Sequence, residues 1–367
     1  MPSSPSSPPD FTLIGGGIVG ACLAEELSGV GASVLVLDSG DEPGHATNRA
    51  AGVAVPSLRY LADREFYDWL RTAKRDLDAD VARLEPESGV FSVARPILRA
   101  LRETDVEAYG EVLDGLGVGN WVDGDALARS TPGLKLPASR RYLLDPDGLM
   151  IDGRRYLDAV RRRCVAQGVD WRQGVAVREV REEGASVSVL TADGALRADR
   201  VVITAGAWSS GKGLAEATGI RPQRGQMAVL RTDEELNCIL SSAYYLAPGV
   251  GDDVIVGATE EDAGFAEHVT TQGIAQLLRF ATTAMPGLAD SVPVELRAGL
   301  RPVSGTGRPL AGALPGHARV FLSAGHAGHG LLSARATAKG MAAGLAGDDW
   351  EALPYSMCPS HALGGAA

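Results

Sequence analysis

The segment IGGGIVG, residues 14–20, constrains the fold more than any other part of the chain. An apolar run, residues 11–14, precedes it, and from Ile18 onward Ala21, Leu23, Ala24 and Leu27 recur at helical spacing before Gly29 and Gly31. A second apolar run, residues 33–38, ends in an acid. Strand, glycine turn, helix and strand within about 30 residues make a βαβ unit with the dinucleotide-binding fingerprint. In that fingerprint Gly15 permits the tight turn, Gly17 lets a pyrophosphate approach the backbone, and Gly20 lets the helix pack closely on the strand. Asp38 can accept hydrogen bonds from an adenosine ribose. The fingerprint does not separate FAD from NAD, which share the same adenosine diphosphate.

With 367 residues, 45% of them apolar, the chain can fill two cores or one large interleaved one. A net charge of −11 argues against nucleic acid and anionic membrane as partners. Cys22, Cys164, Cys238 and Cys358 form no Cys-x-x-Cys pair, so neither a zinc cage nor a disulfide framework is expected, and a reducing cytoplasm fits. The six histidines show no metal-ligand spacing, so no metal is expected. No run of about 18 apolar residues marks a membrane span. Residues 1–9 read as a disordered tail and residues 356–367 as a second one.

After Asp38 the segment SGDEPGHATNRAAGVAVP is small and polar and reads as a loop long enough to follow an extended cofactor. Residues 61–84 carry helical periodicity ending at Pro86, and residues 101–134 read as short helices. A helix is expected from Asp152 to Gly168, its arginines on a solvated face. Short β runs follow at 175–180, 186–190 and 201–204, then at 227–230, 243–246 and 254–256, the last three with an antiparallel look. Residues 206–212, GAWSSGK, imitate a phosphate-binding loop. Gly213 stands where such a loop needs Ser or Thr for magnesium, which argues against nucleotide hydrolysis.

The segment AGLRPVSGTGRPLAG, residues 298–312, leads to an apolar run and the cluster AGHAGHG, residues 324–330, which opens a helical stretch over 331–345. Gly325, Gly328 and Gly330 allow backbone to approach a flat ring, and the free N–H groups of a helix start favour negative charge there. Both features suit a flavin that becomes anionic on reduction.

Taken in order, IGGGIVGACLAEELSGVGASVLVLDSG, HATNRAAGVAVP, RRYLDAV, ADRVVITAGAWSS, IRPQRGQM, YYLAP, VIVGATEEDAGF, AGLRPVSGTGRPLAG and GHAGHGLL resemble the FAD-dependent D-amino-acid oxidase superfamily over nearly the whole chain, closest to its glycine and sarcosine oxidases. The resemblance implies an α/β architecture: a Rossmann-type FAD-binding domain (10–84, 143–215, 298–355) with an inserted, mainly antiparallel β-sheet substrate domain (85–142, 216–297). It implies that Ile18, Val19 and Ser39 join the glycine turn and Asp38 at the cofactor. It further implies that Thr47, Asn48, Arg49, Ala51 and Gly52 run beside the flavin, that Val175 touches the adenosine, and that Ala205, Gly206 and Trp208 cover the pyrophosphate. Gly325, His326, Gly328, His329, Gly330 and Leu331 are expected at the isoalloxazine ring. Arg301 matches an arginine that pairs with a substrate carboxylate, and Tyr245 a tyrosine that orients the same substrate. His326 and His329 are candidates for proton transfer or flavin contact.

Two departures refine this. Gly328 stands where glycine oxidases carry an arginine, which leaves room for a substituent on the substrate nitrogen. No cysteine lies between Cys238 and Cys358, so the covalent attachment of sarcosine oxidases is not available and noncovalent FAD is expected. The expected reaction is oxidation of a carbon–nitrogen bond by hydride transfer to flavin, followed by imine hydrolysis, with oxygen or an electron carrier as final acceptor. The alternatives are an FAD-dependent 2-hydroxy acid dehydrogenase, which needs a strong base at its hydroxyl, a tRNA-directed carboxymethylamine oxidase, which needs a basic track, and a flavin-binding protein without catalysis.

Overall fold

Side chains of β1 (Phe11–Ile14) and β2 (Val34–Asp38) alternate between two cores. Phe11, Leu13, Val34 and Val36 face one, and Ile14, Leu35 and Leu37 face the other. Such continuous burial belongs to a parallel sheet covered on both sides. A computed structural model describes residues 8–40, 45–123, 127, 131, 133–211 and 213–363, so most of the first expected tail and the end of the second lie outside the described residues. The sheet runs Leu310–Ala313, Val320–Ala324, Arg200–Ile203, β1, β2 and Asp170–Gln173, parallel throughout except at the first pair. Helix α1 (Ile18–Gly29) and the helices Arg64–Ser88, Gly153–Ala166 and Gly330–Gly347 cover one face. A three-stranded antiparallel sheet, Val177–Glu183, Ser186–Thr191 and Gly194–Ala198, covers the other through Val187 and Val189.

The second large sheet has eight strands in the order Val292–Val303, Arg221–Arg231, Asp253–Gly257, Tyr245–Pro248, Ile239–Ser241, Ile97–Leu101, Arg141–Asp145 and Asn120–Val122. Only the pairing of Ile239–Ser241 with Ile97–Leu101 is parallel. Leu230, Leu246, Val254 and Val256 face the amphipathic helix Thr271–Ala284, while Met227, Ile239, Ile255 and Ile97 face the opposite side. The expected mixture of a Rossmann-type unit with a mainly antiparallel sheet is therefore present. The strands Val292–Val303 and Arg141–Asp145 run through the expected domain limits at 298 and 142/143.

Several local expectations need correction. The helix expected over 61–84 spans Arg64–Ser88 and runs past Pro86, because the Glu85 carboxylate accepts from the amides of Phe91 and Ser92 and Gly89 closes the end with φ +77°. The polar loop after Asp38 holds a short helix, Ala46–Arg49, and residues 101–134 include the strand Asn120–Val122 beside the helix Glu103–Leu116. Residues 356–363 are no tail: Met357 is fully buried in the helix-side core, and Pro359–Ala362 is helical against the strand Leu310–Ala313.

The helices of that core are joined by buried charge. Arg335 Nε donates to Asp80 Oδ2 at 2.9 Å, its Nη1 to Glu26 Oε1 at 2.8 Å, and its Nη2 to Glu25. Arg83 and Arg163 also donate to Glu25, and the Tyr156 hydroxyl donates to Asp80 Oδ2 at 2.6 Å. Removing one member leaves uncompensated buried charge. Arg335→Met is therefore expected to lower stability by about 3–5 kcal/mol, read as a fall in Tm and denaturant midpoint; an unchanged midpoint would show that the network carries no such role.

Candidate active site

The turn after β1 is tight because Gly15 has φ +108° and donates its N–H to Leu37 O at 2.8 Å. A Cβ on Gly15 would lie 2.5 Å from Thr204 O, and one on Gly20 would lie 2.1 Å from Gly15 O. The Thr204 hydroxyl donates to Gly15 O at 2.7 Å and locks the turn to the neighbouring strand. Gly17 is different: a Cβ there would meet only Thr47 Oγ1, at 3.4 Å, because this residue opens into the cavity. Asp38 lies at the end of β2 with Oδ2 accepting from the Gly16 amide at 2.6 Å and Oδ1 from the Gly40 amide at 3.0 Å.

From this turn a cavity of about 910 Å³, in the upper range for small-molecule sites, reaches across to the eight-stranded sheet. The site residues expected from the sequence line it, Asp38 and Val175 at one end and Tyr245, Arg301 and His329 at the other, with two exceptions. Gly20 serves helix-on-strand packing instead. Gly325 has φ +85° and turns the chain after Val320–Ala324, packed against Ile220 and Ser304 rather than facing the cavity. Residues 206–208 form a 3₁₀ turn that covers the cavity and is not followed by the helix a phosphate-binding loop requires; Lys212 lies outside the described residues. Trp171 and Arg161, stacked 5.2 Å apart near Asp38, also line the cavity. Nothing local in the sequence singled them out.

At the far end Arg301 Nη1 donates to Thr259 O at 3.0 Å, and the guanidinium lies over Gly225, where a Cβ would meet it at 2.6 Å. Among the described residues no carboxylate pairs with Arg301, whereas Arg49 and Arg59 in the same cavity pair with Glu295 and Glu260. The Tyr245 ring lies over Gly257, and burial pushes its phenol up to about 12, so it stays a donor. A Cβ on Gly328 would find Arg301 Nε, at 4.0 Å, as its nearest neighbour.

The two histidines differ from a proton-transfer pair. His326 is buried, its Nε2 is 3.2 Å from Thr337 Oγ1, and its Nδ1 has no partner among the described residues. Burial, then His329, push it down to about 3. His329 packs edge-on against Tyr60, and burial together with Arg59 and Arg301 pushes it down to about 4. Both are neutral near pH 7 and too weakly basic to hold a proton there.

Residues 10–343 match the family described as DAO, FAD dependent oxidoreductase. The chain belongs to this family. It is 28% identical over 381 residues to a glycine oxidase of Pseudomonas putida, a match covering 96% of this chain and 98% of that one. Among solved structures, the iminodiacetate oxidase of a Chelativorans species superposes with a TM-score of 0.79 at 25% identity, covering 92% and 95% of the two chains. A glycine oxidase of Bacillus cereus superposes with a TM-score of 0.83 at 23% identity, covering 93% and 95%. This family member is an FAD-dependent amine and amino-acid oxidoreductase, and the hydroxy-acid and tRNA-directed alternatives are not favoured.

The residues fit the cofactor. The open backbone at Gly17, the free approach to the start of α1 and the acid at the end of β2 suit a pyrophosphate and an adenosine. Among the described residues no cysteine lines the cavity, in keeping with noncovalent FAD.

Two tests follow from this geometry. Gly17→Leu, whose side chain projects into the cavity with little conflict in the fold, is expected to yield folded protein without flavin, checked by Tm and by the flavin's visible absorbance; retained flavin would contradict the placement. Because His326 takes up its proton in the unfolded state near pH 6.5 and in the folded state only near 3, its neutral form stabilises the fold above pH 6.5 and that contribution is lost as pH falls. Between those values stability should drop by about 1.4 kcal/mol per pH unit from this group alone, and His326→Asn should flatten the decline in a pH series of denaturation midpoints.

Proposed function

We propose that this enzyme oxidises the carbon–nitrogen bond of an N-substituted glycine, a secondary amine, in preference to free glycine. The observation that carries the reading is Arg301, a cavity guanidinium without a carboxylate partner among the described residues, beside the open space at Gly328. Thr259 O fixes one edge of the guanidinium, so its remaining donors are aimed and ready for a planar carboxylate. Tyr245 would donate a second, directional hydrogen bond, which its protonated phenol can do throughout the working pH range. Bound FAD supplies the hydride acceptor.

The substituent on nitrogen would occupy the space that an arginine at 328 would fill, against Met227, which lines the cavity. With His326 and His329 neutral and weakly basic, neither histidine takes up an ammonium proton near pH 7, so the amine must arrive neutral. Water then hydrolyses the imine. The net charge of −11 favours a free metabolite over tRNA, and free cysteines fit a cytoplasmic setting.

Steady-state comparison of glycine, sarcosine, D-alanine and longer N-alkyl glycines tests this, with kcat/KM expected to favour the secondary amines. A tenfold preference for glycine or D-alanine would overturn it. Arg301→Ala should keep its flavin while losing about 2–4 kcal/mol of transition-state stabilisation, and Tyr245→Phe should lose less because only one hydroxyl is removed.

A further inference from the structure

One face of the eight-stranded sheet carries a row of residues in direct register. Met227 stands opposite Gly257, Gly257 opposite Tyr245, Tyr245 opposite Ser241, and Ser241 opposite Arg99. Opposed residues on neighbouring strands project to the same face, and Met227, Tyr245, Ser241 and Arg99 line the cavity. The Tyr245 ring leans over Gly257, where a Cβ would lie 2.4 Å from its hydroxyl, and so leans away from Ser241. Beyond Ser241 the cavity wall is apolar, formed by the paired, buried Ile97 and Ile239. Arg99 is two strand spacings, about 10 Å, from Tyr245.

Arg99 is only 6% exposed. Its Nη2 donates to Pro56 O at 3.1 Å and lies 3.5 Å from Asp145 Oδ2, while Nε is buried without a partner among the described residues. Asp145 offsets the charge from the adjoining strand but does not line the cavity; Arg99 does. The bonds to Pro56 and Asp145 engage only Nη2, so the guanidinium that lines the cavity keeps donors whose planar geometry suits a ligand carboxylate.

We propose that Arg99 caps a second anionic subsite, so that the preferred N-substituted glycine carries on its nitrogen an aliphatic chain ending in a carboxylate. This rests on the secondary-amine reading above. The glycine carboxylate is held at Arg301 and Tyr245, the methylenes lie over Ser241 against Ile97 and Ile239, and the distal carboxylate reaches Arg99. Arg99 is thus a specificity residue, remote from the bond that breaks.

The test is a kcat/KM series on the holoenzyme: sarcosine, then N-(carboxyalkyl)glycines of increasing chain length, each beside its terminal carboxamide. One chain length should exceed both sarcosine and its own carboxamide by at least tenfold. In Arg99→Met that advantage should vanish, the loss falling mainly in KM, while sarcosine stays within about threefold of wild type. The wild-type acid-versus-amide comparison stands even if the variant does not fold. Sarcosine turnover without any gain from a distal carboxylate overturns the subsite and leaves the secondary-amine reading intact. A gain that survives Arg99→Met, or equal losses on sarcosine and the acids, overturns the assignment to Arg99. If no N-substituted glycine is oxidised, both readings fall.

Discussion

A guanidinium that is 3% exposed must be neutralised where it sits, and Arg335 is neutralised by carboxylates on two other helices. Glu25 and Glu26 lie on α1 and Asp80 on Arg64–Ser88. The surfaces α1 and Gly330–Gly347 present to their shared core are rich in small residues, Ala21, Cys22 and Ala24 on one side and Ala334 and Ala338 on the other. Small residues let backbones approach closely but offer few projections to resist sliding or rotation. The directional bonds of Arg335 supply that resistance. Because α1 begins at the glycine turn and Gly330–Gly347 begins beside His329, the same cation aligns the two ends of the cavity.

The glycine turn and the C-terminal cluster are legible in the sequence because their geometry is local. The close approach at Gly20 is to Gly15, five positions away, and apolar periodicity marks the elements on either side of the turn. Arg335 and Glu25 are separated by 310 positions, and nothing in either neighbourhood announces the other. The same holds for the row from Tyr245 through Ser241 to Arg99, which is assembled from separate segments by strand register. Pro86 misleads for another reason: the carboxylate that extends the helix end past it belongs to Glu85, whose partners become neighbours only after the turn at Gly89. Residues 356–363 read as a tail because their composition is loop-like, yet Met357 finds a site in the core.

Residue type suggested proton transfer at His326 and His329, but burial decides what an imidazole can do. Within this cavity both are held far below their usual range, and Tyr245 is held well above its own. From about 5 to about 11 on the pH scale, none of these three groups changes charge. The substrate's own amine does ionise within that range. Below the amine's pKa the neutral fraction rises about tenfold per pH unit, and turnover efficiency at low substrate inherits that slope. With these three groups held in one charge state, protonation of the substrate is the variable that gates the chemistry.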